Sequence, residues 1–221
     1  MAMTIAGGAQ AQLPLGQVAL DLSGQGLVAG YHQYTTTFTA QTIKSTVTFI
    51  FRNDPGYFAF DNASVMDITN PSGELLVNGG FEALVTSPGV DPNGQMAPGW
   101  TLYQQPGVTN LGGVYNAASM NGIVTGGPLG GQGGSSQFWG DGSTNAYDGI
   151  AQSFTSQAGD TYQVSFWLDW SVDAGSTPTA FDSTSINAAV YAPDPIPEPA
   201  SLALFGAGVA ALGLVRRRRR G

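Results

Sequence analysis

From Thr161 to Trp170 apolar and polar side chains alternate at every step. Tyr162, Val164, Phe166, Leu168 and Trp170 fall on one face, and Thr161, Gln163, Ser165, Trp167 and Asp169 on the other. A period of two is that of a half-buried strand. The β-branched and aromatic runs Tyr34-Thr35-Thr36-Thr37-Phe38-Thr39-Ala40 and Thr46-Val47-Thr48-Phe49-Ile50-Phe51 predict two more strands, with Val47, Phe49 and Phe51 in phase. After the turn signal Asn53-Asp54-Pro55-Gly56, a fourth is predicted from Phe58 to Val65. No stretch before residue 200 has helical periodicity. The expected class is all-β, a sandwich or jelly roll. Residues 112–142 are Gly-rich and poorly periodic, and predict a long loop with low order around 126–136.

The pattern changes at the C-terminal end. Pro193-Asp194-Pro195-Ile196-Pro197-Glu198-Pro199 is a stiff, extended stalk. Residues 200–215 are uncharged, and Arg216, Arg217, Arg218, Arg219 and Arg220 follow. As a helix the uncharged run reaches about 24 Å, short of the ~30 Å hydrocarbon core. Five adjacent guanidinium groups cannot enter a protein core. They can sit among lipid headgroups with their stems extending the span, on the cytoplasmic side. A membrane-inserted helix is therefore expected, with the residues before Pro197 on the far side.

Pro197-Glu198-Pro199, Ala200-Ser201, a Gly/Ala/Leu-rich helix and a terminal Arg cluster, in that order, resemble the PEP-CTERM sorting signal of Gram-negative bacteria. The resemblance covers about the last 25 residues. It implies recognition by exosortase, a membrane transpeptidase-like protease, removal of the tail near the tripeptide, and delivery of the body to the envelope or an exopolysaccharide matrix. At the other end, Ala9-Gln10-Ala11 looks like a signal-peptidase site, but no Lys, Arg or long apolar stretch precedes it. The expectation is a true start upstream of Met1; the alternative is a strand of a domain cut short.

Charge narrows the partners. Upstream of Pro197 only Lys44 and Arg52 are basic, against fourteen acidic residues, a net of −12. Such a surface repels nucleic acid and suits divalent cations or neutral glycans. There is no cysteine, so disulfides and thiolate chemistry are excluded. Catalysis has little to stand on. His32 is the lone histidine, no Gly-x-Ser-x-Gly elbow occurs, and among fifteen acids some pair is inevitable. The expectation is a protein that is not an enzyme.

The body carries a second resemblance. Leu75-Leu76-Val77-Asn78-Gly79-Gly80-Phe81-Glu82, Pro98-Gly99-Trp100, Gly149-Ile150-Ala151-Gln152-Ser153-Phe154, Gly159-Asp160-Thr161-Tyr162 and the Phe166-Trp167 strand look like the opening half of a galactose-binding-like jelly roll. The stretch from Arg52 to Val65 resembles its closing strand, with Asn62 where a second Asp is usual. The closing motif precedes the opening one. This order predicts either a truncated module at 1–70 followed by a second at 74–192, or one permuted sandwich joined through the turn 66–73. In either case the first half packs on the second. The stalk at 193–199, the helix at 200–215 and the basic tail at 216–221 complete the organisation.

In related carbohydrate-binding modules a structural Ca²⁺ is held by a Glu and an Asp that match Glu82 and Asp61 here. Sugar recognition there uses an exposed aromatic face. Trp167, the strand aromatic on the polar face, is the first candidate, with Trp139, Tyr147 and Tyr103 in or near loops. Trp100 and Trp170 are expected in the core. The functions expected are an exported matrix or surface protein binding exopolysaccharide, a purely structural surface protein without a ligand, or, last, a glycan hydrolase.

Overall fold

The computed structural model describes residues 16–25, 31–52, 57–83, 95–109, 112–116, 137–171 and 188–192. They form ten strands: β1 (Gln17–Asp21), β2 (His32–Thr39), β3 (Lys44–Phe51), β4 (Tyr57–Asp67), β5 (Thr101–Gln104), β6 (Gly113–Asn116), β7 (Gln137–Asp141), β8 (Asp148–Thr155), β9 (Thr161–Ser171) and β10 (Ala188–Ala192). Sheet I runs β1-β10-β3-β8-β5 and sheet II β2-β9-β4-β7-β6, and every pairing is antiparallel. The chain changes sheet at each connection except β6 to β7. The class is thus all-β with two antiparallel sheets, and no helix occurs among the described residues. The stalk, the expected helix at 200–215 and the basic tail lie outside them, as do residues 126–136.

The in-phase residues of the alternating runs are the core. Tyr162, Val164, Phe166 and Leu168 of β9 and Val47, Phe49 and Phe51 of β3 are all buried in one cluster. Rings meet across the two sheets: Phe49 lies 4.8 Å from Phe60 of β4 and 5.4 Å from Phe166. Burying each such side chain contributes roughly 1.5–3 kcal/mol. Trp100 is buried as expected.

Strands of the first seventy residues lie among later ones. In sheet I β3 sits between β10 and β8, and in sheet II β4 sits between β9 and β7. The turn at 68–73 then returns the chain along β4. Leu75 N–H donates to Val65 O at 3.0 Å, and Ala63 N–H donates to Gly79 O at 3.0 Å. The closing motif and the opening motif are therefore side by side. The Gly-rich stretch 112–142 departs from a simple loop, since β6 and β7 stand at its two ends and pair with each other. Glycine is there for close packing: a Cβ on Gly140 would lie 2.6 Å from the Tyr115 ring.

Candidate functional site

On the outer face of sheet II a cleft of about 640 Å³ opens beside Trp167. Trp167 has Gln33 of β2 and Asp61 of β4 as its register partners. Gln33, Asn62, Ser64, Glu74 and Asn78 line the cleft with amide, hydroxyl and carboxylate groups. Its floor owes its shape to a bulge. The β4–β9 register shifts between Asp61 and Ser64, and Asn62 takes a φ of 49°. The indole is half-buried and packs on Tyr31, Ala59 and Phe138, so sheet II covers part of its own outer face.

The cleft wall is held by Glu74. Its Oε1 accepts N–H bonds from Val65 (2.9 Å), Leu75 (2.9 Å) and Leu76 (2.8 Å). From below, the amide of Gln152 on β8 pairs with both backbone groups of Val77, at 2.6 and 2.9 Å. The carbonyl of Asn78 accepts the indole N–H of Trp100 at 3.0 Å. Neither Glu74 nor Gln152 stood out in the sequence. The only available signal was Gln152 falling in phase with Ile150 and Phe154, a polar residue on a core-facing side.

The other glycan candidates separate. Trp139 is 0% exposed, with its N–H donated to Asp141 at 3.1 Å, and Tyr103 is 1% exposed. Neither ring has a face to offer a sugar; loop-like sequence concealed that both belong to strands, β7 and β5. Tyr147 is half-buried on sheet I, packed with Tyr191 on Ile50, Tyr103 and Ala189, away from the Trp167 cleft. The side chain of Trp170 lies outside the described residues. His32 is exposed on β2.

Asp61 is fully buried in β4, and its Oδ1 accepts the Asn62 N–H at 2.7 Å. A Cβ on Gly80 would lie 3.9 Å from that oxygen, so the opening motif does run past Asp61. Glu82, however, accepts the Gln137 N–H at 2.6 Å. No group of three or more His, Asp or Glu residues fit to hold a metal occurs among the described residues. Each carboxylate is thus engaged with a backbone N–H, and Ca²⁺ at this place would need carbonyl or water oxygens besides to reach its six to eight. Nearby, Tyr31 has a buried hydroxyl with no hydrogen-bond partner among the described residues. Burial, and then the charges of Asp61 and Asp169, hold its proton on well above the usual tyrosine range.

The family model of the PEP-CTERM protein-sorting motif matches residues 195–220. That stretch contains Pro197, Glu198, Pro199 and Arg216–Arg220, the residues on which the resemblance rested. The motif marks proteins sorted by exosortase and implies an exported, membrane-anchored precursor. No curated protein and no solved structure matches the chain. Among the described residues no helix is long and apolar enough to cross a membrane, and residues 200–215 are outside them.

Proposed function

We propose that this chain is a non-catalytic envelope or extracellular-matrix protein of a Gram-negative bacterium. Residues 200–215 hold it in the inner membrane as a helix until exosortase cleaves near Pro197-Glu198-Pro199. The observation that carries this reading is the sorting motif at 195–220. The physics of the tail supports it, because an apolar rod capped by five permanent cations is stable across a bilayer and nowhere inside a globule. Replacing Pro197, Glu198 and Pro199 by alanine is expected to leave full-length precursor in the inner-membrane fraction. Release of the variant in normal amounts would overturn the reading.

The body, in this proposal, is a galactose-binding-like jelly roll that holds neutral exopolysaccharide at the Trp167 cleft. Support comes from the juxtaposition of the motif that resembles a closing strand with the one that resembles an opening strand, and from the cleft's polar rim around an indole. The net charge of −12 upstream of the tail disfavours acidic polymers. The measurement is retardation of the protein in gels cast with a neutral polysaccharide. Trp167→Ala is expected to weaken binding at least tenfold, about 1.4 kcal/mol. Equal retardation of variant and parent would remove the cleft from the proposal. A parent that is never retarded would leave a purely structural surface protein.

A further inference from the structure

Two carboxyl groups meet in the interior, away from the cleft. Asp141 continues the inward face of β7 after Trp139, and Asp148 begins the inward face of β8 before Ile150. One therefore comes from sheet II and the other from sheet I, at the end of the sandwich spanned by the connection 142–147. Both are 0% exposed. A carboxylate pair in such a place is unstable unless something separates the charges.

The hydrogen bonds show what is left to do so. Asp141 Oδ1 accepts the Ser143 N–H at 3.1 Å, and Oδ2 accepts the Trp139 indole N–H at 3.1 Å. Asp148 Oδ2 accepts the Gly112 N–H at 2.9 Å. Asp148 Oδ1 is buried, and no donor among the described residues reaches it. Three of the four oxygens are occupied, which leaves too few for a metal cage but one for a proton. The surroundings are closely fitted. A Cβ on Gly112 would lie 2.5 Å from Asp141 Oδ2, and the Ser143 hydroxyl donates to Phe51 O at 2.7 Å.

We propose that Asp141 and Asp148 share a single proton between them, and that this proton latches sheet I to sheet II at this end of the sandwich. With the proton held, the two sheets and the entry to β6 at Gly112 are tied together. When alkali removes it, two buried like charges repel and this end loosens. This end of the sandwich is accordingly tighter while the proton is held than after alkali removes it.

The groups facing the pair are consistent with this. From β4 the Tyr57 ring packs on Gly142, and from β6 Tyr115 stands near Asp141. From β3 the register partner of Asp148 is Phe51, followed by half-buried Arg52, and from β5 it is the neutral Gln104. Burial, and for Asp141 then the charge of Asp148, raises both carboxyls above their usual range. The folded chain thus keeps a proton that an unfolded chain has released. Stability from this source is complete at and below the ordinary carboxyl value and declines as pH rises through the raised one.

The test uses the full chain in mild detergent. Infrared spectra at neutral pH are expected to show the C=O band of a protonated carboxylic acid, lost in both Asp148→Asn and Asp141→Asn. Asp148→Asn keeps an acceptor for Gly112 and removes one of the two facing charges. Relative to Asp148→Asn, the parent's Tm is expected to fall by roughly 3–5 °C per pH unit between the ordinary carboxyl value and the raised one, and to level off above it. Absence of the band in the parent, or parallel Tm profiles for parent and variant, would overturn the proposal. Should Asp148→Asn not fold, the parent's band and the Asp141→Asn profile decide the matter in the same way.

Discussion

Asp67 titrates in the opposite sense to the Asp141–Asp148 pair. At the end of β4 its Oδ1 accepts N–H bonds from Asn70 (2.7 Å) and Thr69 (2.8 Å). The Asn70 bond, against the opposing effect of burial, and then the Thr69 bond hold its carboxyl below the usual range. A depressed folded-state value contributes stability above the unfolded value and loses it as pH falls. Thermal melts between about pH 5 and about pH 2 should therefore show a shallower decline for Asp67→Ala than for the parent. An unchanged acid limb would mean that the turn at 67–70 does not depend on the charge. The contrast between these acids was not legible along the chain, because what separates them is geometry. Asp67 meets backbone donors beyond a strand end, whereas Asp141 and Asp148 face each other from different sheets. A faint trace existed, since Asp141 keeps phase with Trp139 and Asp148 with Ile150. Trp167 was legible as the aromatic on the polar face, because its strand alternates over its whole length. Trp139 was not, since its glycine neighbours erase the period.

Among the elements, the segment 74–82 is the least regular and the most closely stitched. It has no strand of its own, and side chains supply what a ladder would: Glu74 takes three N–H groups and Gln152 pairs with both groups of Val77. Phe81, at a φ of 60° and fully buried, plugs the core against Phe60 and Trp100 at 5.8 Å each. Glu74→Ala removes an acceptor from the Val65 and Leu76 N–H groups, while Leu75 N–H keeps Val65 O, and should cost about 1–3 kcal/mol. Gly79→Ala should cost more, about 4 kcal/mol or beyond, because its Cβ would fall 1.9 Å from Ala63 O. Both are read from urea unfolding midpoints, and a Gly79→Ala variant as stable as the parent would contradict the close approach to β4. The strands β2, β3, β4 and β9 were legible because each runs eight residues or more with in-phase apolar side chains, whereas in β8, equally long, Gln152 interrupts the phase between Ile150 and Phe154. At four or five residues, β1, β5, β6, β7 and β10 are too short for a period to declare itself.

For the whole molecule, the order of motifs in sequence conceals how much each half needs the other. Of the eight strand pairings, only β5–β8 and β6–β7 lie entirely within residues 74–192. The other six involve β1 to β4. Expressed alone, 74–192 would present β9 with neither neighbour and β10 with none, and would leave Ile150, Phe166 and Val190 without Phe49 and Phe60 to bury them. Two-stranded remnants of this kind are at best marginal in water. The fragment is therefore expected to give no cooperative melt and to bind a hydrophobic dye, whereas the full chain melts in one transition that coincides in near- and far-ultraviolet circular dichroism. Adding a peptide of residues 16–73 should restore that transition, because the strands it carries are the central one of each sheet and an edge strand beside each of β10 and β9. A fragment that melts cooperatively without the peptide would mean that the two stretches fold separately and dock afterwards, with β3 and β4 inserted into sheets already formed.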